Sequence, residues 1–237
     1  MDICDLKPNE GKSLIITTTG GNFARYPVRT HLIMKGDKLK EILENQVCPL
    51  AESNDILFIC EKIVAIVQGR ALPIDEIKVS RIANFLYRFV HKSPYGIGLG
   101  SPWTMELALR DIGLPTILFA AFCSAVTKLF GIHGVFYRIV GMKGRAIDGP
   151  CDCTIPPYNR YAKFAPENPS GVARALSKQT GHPVVIIDSN DLSCEVLGKS
   201  SADLDNCLLR QMFSDNPLGQ DWEQTPIAIV RKVTNGA

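Results

Sequence analysis

The run Asp55-Ile-Leu-Phe-Ile-Cys-Glu61-Lys62-Ile-Val-Ala-Ile-Val-Gln-Gly-Arg70 carries the strongest fold signal in the chain. Residues 55–60 form a run of strand type, apolar from Ile56 to Cys60, after a Ser53-Asn54 turn, which predicts a buried strand. Residues 61–67 continue without a breaker, and Gln68-Gly69-Arg70 closes the unit. A strand that passes straight into a second apolar segment belongs to a mixed α and β protein with a sizeable core. The chain's 237 residues are enough to bury one.

Upstream of that run, residues 14–18 read as a first strand, turned by Gly20-Gly21, and residues 28–34 as a second. Asp37 is placed to cap a helix over 38–45, where Leu39, Ile42 and Leu43 recur at helical spacing. Downstream, residues 73–77 form a polar interlude. Residues 80–91 put Ile82, Ala83, Leu86, Phe89 and Val90 on one stripe, which predicts a core-facing helix. A glycine-rich loop at 92–100 precedes a second helix over 102–112. Residues 116–121 and 134–140 read as buried strands, and 155–168 as a long surface connection rich in proline. A helix over 169–178 leads to a buried strand over 183–187. A helix over 202–213 and a strand over 226–233 complete the series. Strands and helices alternate loosely, so pattern alone leaves α/β and α+β both open. Residues 1–20 are expected to be a mobile tail with the first strand. Residues 21–237 are expected to be a single domain, or two packed lobes.

Composition excludes several classes. Hydrophobic residues make up 46 % and charged residues 21 %, an ordinary globular balance. The net charge of +2, with scattered basic residues, predicts no strong pull toward nucleic acid or an anionic membrane. No apolar run is long enough to span a bilayer, and Met1–Ser13 lacks the apolar core of a secretory signal, so a cytoplasmic protein without a membrane partner is expected. The eight cysteines have no framework spacing, and reduced thiols are expected. Cys151-Asp152-Cys153 is the one close pair, and no second pair or spaced histidines complete a zinc set.

Two sequences imitate a phosphate loop. Gly11-Lys12-Ser13 and Gly198-Lys199-Ser200 each lack the earlier glycine, since Leu6 and Ser193 stand there. Gly96-Ile-Gly98-Leu-Gly100 is a glycine cluster without the dinucleotide spacing. The sharper signal is Ile186-Ile187-Asp188-Ser189-Asn190-Asp191, an apolar strand that delivers an aspartate at its end. Carboxylate and hydroxyl oxygens suit magnesium or manganese, and strand ends are where α/β proteins bind ligands. The same residues are good turn formers. Ala146-Ile147-Asp148-Gly149 repeats the pattern, and two such acids suit a metal pair for phosphoryl transfer. The polar loop from Asn216 to Pro226 adds Gly219 and Gln220.

Taken together these stretches resemble the coenzyme F-420 γ-glutamyl ligase family, in family order from Tyr26 to Arg231. Tyr26-Pro27-Val28-Arg29-Thr30 with Lys35-Gly36-Asp37 is similar to the family's opening strand and its Gly-Asp. The run from Asp55 to Arg70 is similar to its most specific motif. Gly134-Val-Phe leading to Asp148 resembles the approach to one metal aspartate, and Val184 to Ser189 the strand ending in the other. Pro166-Glu-Asn-Pro-Ser170 and Leu218-Gly219-Gln220 have counterparts too.

The resemblance implies an α+β, intertwined fold and a homodimer. It implies a GTP-dependent amide ligase using Mn2+ or Mg2+, with nucleotide, glutamate and a carboxylate acceptor as small-molecule substrates. Asp148 and Asp188 would be catalytic and would bridge the metals, with Ser189 and Gln220 completing the coordination. Pro27, Val28, Arg29, Thr30, Glu61, Lys62, Gly219 and Gln220 would hold the nucleotide. Three departures stand out. Ile66 occupies the place of a family lysine, and the runs after Asp148 and Asp188 differ from the family's. They leave open a non-catalytic nucleotide- or metal-binding homologue, or a ligase with another acceptor.

Overall fold

A computed structural model describes residues 2–90, 98–190, 193–219 and 222–233. Among these residues the chain forms a six-stranded sheet, a two-stranded sheet and eight α-helices. The fold is α+β. It divides into two compact units, one of residues 1–68 with 167–237 and one of residues 69–166.

The first unit is built on β1 (Ile15–Thr18), β2 (Gly21–Val28), β3 (Ile56–Cys60), β6 (Val184–Ser189), β7 (Cys194–Lys199) and β8 (Ile227–Val233). Their order across the sheet is β1-β2-β8-β3-β6-β7. Only β3 and β6 run parallel; the other neighbours are antiparallel. The central strands β3, β6 and β8 are apolar because both faces are covered. On one face Phe58, Val185, Ile187, Ala228 and Val230 pack against Leu209, Met212 and Phe213 of the segment around α8 (Asn206–Met212). The Phe58 and Phe213 rings stack with centroids 4.2 Å apart, adding to the burial of both. The short helices α1 (Leu39–Ile42) and α2 (Glu61–Val67) and the longer α7 (Pro169–Thr180) complete the unit. A Cβ at Gly198 would strike the backbone of Pro169 and Ser170, so only glycine lets β7 pass beneath the first turn of α7. Lys199 spends its ammonium on the Ala202 and Leu204 carbonyls. That geometry is a packing device, not a phosphate loop.

The second unit pairs β4 (Ala71–Pro73) with β5 (Tyr161–Lys163) and adds α3 (Arg81–Leu86), α4 (Pro102–Asp111), α5 (Leu114–Leu129) and α6 (Val135–Arg145). Its core gathers Met105, Leu107 and Ala108 of α4, Ile117 and Ala120 of α5, and Val140, Ile147 and Ala162. α4 begins at a capping box in which Ser101 and Thr104 satisfy each other's amides. No single helix among the described residues is long and apolar enough to cross a membrane.

Several local expectations are corrected. The strand expected over 28–34 lies seven residues earlier, as β2, and the chain is irregular from 29 to 34. β2 tolerates Pro27 because Arg25 donates its N–H to Leu14 on the β1 side. Pro27, two residues on, turns its nitrogen to the same side beyond the reach of β1. Residues 116–121 and 134–140 are helical, in α5 and α6, not strands. A short apolar run has no period of its own, and here Pro115 at the first turn and the uninterrupted length of 114–129 favour helix. Asp37 does not cap α1; its carboxylate accepts from the Met34 amide and faces His31. The α-helix expected over 80–91 ends at Leu86, and its stripe is not core-facing throughout: Ala83 is buried, while Ile82 and, beyond α3, Phe89 are exposed. Residues 155–168 are not a surface connection, since they contain β5 and bury Tyr158, Ala162 and Lys163. The start of the chain is not a loose tail either. Asn9 donates to Pro217 and Thr225, Lys12 to Asp215, and Ser13 accepts from Arg25.

Candidate functional site

The register of the large sheet decides what meets at its end. Val28 pairs with Ile227, Ile227 with Ile59, and Ile59 with Ile186. The last residues of β2, β3 and β6 and the first of β8 therefore lie along one edge of the first unit. Four segments leave the sheet there: Pro27–Thr30, Glu61–Lys62, Asp188–Asn190, and the loop that precedes β8. The segments span most of the sequence, and hydrogen-bond pairing alone brings them together.

The described parts of the loop before β8, residues 216–219 and 222–226, are tied down by hydrogen bonds. Thr30 donates its N–H to the Gln224 carbonyl at 3.2 Å, and the Gln224 amide donates back to the Thr30 carbonyl at 2.8 Å. The Asn9 amide reaches the Thr225 hydroxyl at 2.8 Å, and that hydroxyl donates to Leu218. Asn216 donates to the Gly219 carbonyl at 2.9 Å. Gly219 has φ +81°, and a Cβ there would run into the Glu223 carboxylate. The positive φ is what favours glycine here, since the Glu223 carboxylate ends a flexible side chain that can move aside. Gln220 lies outside the described residues, as do Asp191 and Gly96.

Asp188 is half-buried and stands in register with Glu195 across β6 and β7. It continues the face of Val184 and Ile186, because side chains alternate along a strand. It is not the last residue of the strand, which runs on to Ser189. Ser189 lies on the other face and donates its hydroxyl to the Phe213 carbonyl at 3.1 Å. Asp188 and Ser189 are adjacent in sequence but do not face the same way. The negative charge of Asp188 is felt by two thiols. Burial pushes Cys60 up to about 11, with Glu61 and Asp188 adding to the rise. Cys194 is pushed up to about 12, again by burial first and by Asp188 and Glu195 in part. Glu61 is buried where β3 enters α2, and Lys62 beside it is half-buried. Pro27, Val28 and Thr30 are buried, and Arg29 is exposed. Ile66 is buried on the inner side of α2.

Asp148 belongs to the second unit. It does not end a strand as expected. It follows α6 and makes a single bridge to Lys163, giving its carbonyl to the Lys163 amide at 2.9 Å and its N–H to the Lys163 carbonyl at 3.2 Å. Its carboxylate accepts from Gly149 at 2.9 Å. Lys163 is buried and donates its ammonium to Ala146 at 3.0 Å. Nothing local in the sequence marks this lysine, which stands alone in a proline-rich segment. Three residues on from Asp148, Cys151 and Cys153 are joined as a disulfide with Cα atoms 5.3 Å apart, correcting the expectation of reduced thiols at this pair. Among the described residues no group of three or more His, Cys, Asp or Glu side chains is disposed to hold a metal ion.

A family model described as F420-0:Gamma-glutamyl ligase matches residues 27–196. The match takes in Pro27, Glu61, Asp148 and Asp188 and stops short of Gly219. No curated protein matches the chain.

Proposed function

This chain belongs to the F420-0:γ-glutamyl ligase family, and from that premise we propose that it is an amide ligase joining the amine of L-glutamate to a carboxylate acceptor of the F420-0 type at the expense of GTP. The γ-phosphoryl group passes to the acceptor carboxylate, and the resulting acyl phosphate loses phosphate to the attacking amine. Little covalent chemistry falls to the protein in such a reaction; positioning and charge are its share.

The observation that supports this reading is the convergence of Pro27–Thr30, Glu61–Lys62, Asp188 and the Gly219 loop at one end of the large sheet. Lys62 brings positive charge beside the phosphates. Gly219, at φ +81°, gives the loop a turn that glycine adopts without strain. Asp188 presents a carboxylate, a hard oxygen donor that fits Mn2+ or Mg2+. Glu61 and Glu195 stand near it at the same end of the sheet. When bound, such an ion would neutralise phosphate charge. Asp148 is assigned the same donor role on the second unit. Ser189, engaged with Phe213, is left out of the metal set.

A second reading has one observation in its favour. Ile66 stands where the family has a lysine, and it is buried in apolar surroundings, so no cation is available there. A homologue that binds nucleotide without forming the amide would look like this.

Two measurements separate the readings. Thermal unfolding is followed with and without Mn2+ plus GTP, because a ligand bound only by the folded chain raises the midpoint. Phosphate release is then followed with F420-0 and glutamate. Ligase activity requires both a rise in midpoint and glutamate-dependent release. A rise without release supports the non-catalytic reading, and no rise at millimolar ligand removes both.

A further inference from the structure

Cys151 and Cys153 are joined across a single intervening residue, Asp152. The other six cysteines are free thiols, among them the exposed Cys4 and Cys207. A structural cross-link holds together parts of a chain that would otherwise separate, and its effect grows with the length of the loop it closes. Here the sequence separation is 2, so the unfolded chain loses little freedom. Both cysteines lie in one connection, between Asp148 and the 3-10 turn Tyr158–Arg160, and neither belongs to a helix or strand. The bridge therefore joins no two elements of the fold.

The connection is held by other means. The Thr154 N–H donates to the Cys151 carbonyl at 3.0 Å and closes the turn without the sulfurs. Upstream, Asp148 and Lys163 exchange two backbone hydrogen bonds. Downstream, Tyr158 is buried, and its ring meets Tyr161 edge-on with centroids 5.0 Å apart. Breaking the S–S bond leaves each of these contacts in place. Both cysteines are only half-buried, so a small thiol can reach them. The two sulfurs are not equivalent. The Cys153 N–H donates to the Cys151 sulfur at 3.4 Å. A backbone donor favours the thiolate, which makes Cys151 the better leaving group and directs attack to Cys153.

We propose that Cys151 and Cys153 form a redox-active site that exchanges with small-molecule thiols of the glutathione class, and not a structural cross-link. The thiolate of one RSH attacks the Cys153 Sγ. The S–S bond breaks, Cys151 leaves as a thiolate and takes up a proton, and Cys153 carries the mixed disulfide. The thiolate of a second RSH attacks the RS sulfur of that adduct, releasing RSSR and the Cys153 thiolate, which is protonated in turn. The protein gains two electrons and two protons, and two RSH are oxidised to one RSSR. In the reverse direction the Cys151 thiolate resolves an adduct on Cys153 and restores the bridge.

The test uses the full chain, brought to equilibrium in graded mixtures of reduced and oxidised glutathione, quenched with acid and alkylated for mass mapping. Both forms of the pair are expected within the range of mixtures, where a structural disulfide stays oxidised throughout. Circular dichroism of the reduced chain is expected to match that of the oxidised one. Cys151→Ser removes the resolving thiol and is expected to hold the glutathione adduct at Cys153 at about tenfold or more the wild-type level. Three results overturn the proposal. One is a pair that stays oxidised in every mixture until the chain is unfolded. Another is a pair that stays as two thiols even with oxidised glutathione in excess. The third is loss of the native circular dichroism on reduction, which would make the bridge a structural one. No readout involves nucleotide or an acceptor carboxylate, so failure here is separate from failure of the ligase reading.

Discussion

Cys60 and Ile187 stand side by side on the parallel strands β3 and β6, so Glu61, where the chain turns from β3 into α2, and Asp188, near the end of β6, lie at the same end of the sheet. Between them in sequence lies the entire second unit. Asp188→Asn keeps the shape of the side chain and removes its charge. It is expected to abolish the rise in unfolding midpoint produced by Mn2+ and GTP. It should lower any glutamate-dependent phosphate release by about two orders of magnitude. Calorimetry and a phosphate assay on the same preparation check both.

Gly219→Ala addresses the loop and not the sheet. Its φ of +81° disfavours any Cβ, and the Glu223 carboxylate occupies the space the methyl would need. A loss of about 1–2 kcal/mol in stability is expected from the backbone alone. Nucleotide affinity should fall further if the loop contacts phosphate. Urea unfolding and a fluorescent GTP analogue read the two effects separately.

Arg25 is fully buried in β2 and faces Asp215, with the Ser13 and Met212 carbonyls as further partners. Burial raises the Asp215 carboxyl, but the hydrogen bond and charge of Arg25 outweigh it and hold the group below its ordinary 3.8. A depressed folded value means that the stability from this pair is present above the unfolded value and is lost as pH falls through the folded one. Unfolding free energy should therefore decline on acidification below about pH 4. Asp215→Asn should flatten that limb. At neutral pH it should cost about 2 kcal/mol, the buried-pair loss discounted for the partial exposure of Asp215. Urea titrations at stepped pH decide this.

The thiols should separate by reactivity. Cys60 and Cys194 are pushed up to about 11 and about 12, chiefly by burial, so little thiolate exists at pH 8. Cys4 and Cys207 are exposed. Timed alkylation with mass mapping should label Cys4 and Cys207 first, and the half-buried Cys60 and Cys194 more slowly. Labelling of Cys60 as fast as that of Cys4 would contradict the raised value of its thiol.

Ile66→Lys would restore the family's lysine to a buried position. A cost of about 3 kcal/mol or more is expected from an uncompensated buried charge. No gain in GTP affinity should accompany it, since α2 turns this position inward. A gain would mean that α2 rotates when nucleotide binds.

What the sequence revealed follows from where its signals are local. Residues 55–60 and 183–187 were readable as strands because both faces are buried and the run is continuous. Residues 169–178 were readable as a helix because Asn168 and Pro169 open it and Gly181 closes it. Residues 116–121 and 134–140 misled because six or seven apolar residues satisfy either period. The tail was misjudged because Asn9 and Lys12 are tied by partners more than two hundred residues away. At the site, Asp188 was visible as an acid after an apolar run. That Ser189 turns to the opposite face follows from strand alternation, once β6 is seen to continue through it. The bridge from Asp148 to Lys163 had no local mark at all, since a single pair of backbone bonds imposes no period.

β8 lies between β2 and β3, in the middle of the large sheet, yet it is the last strand of the series to be synthesised. During translation β2 and β3 emerge early and wait for a neighbour that is still inside the ribosome. Residues 69–166 are contiguous and need wait for nothing. Maturation should then be ordered, with the helical unit settling on the nascent chain and the large sheet closing only after its seventh partner residue, Val233, is free to zip into place.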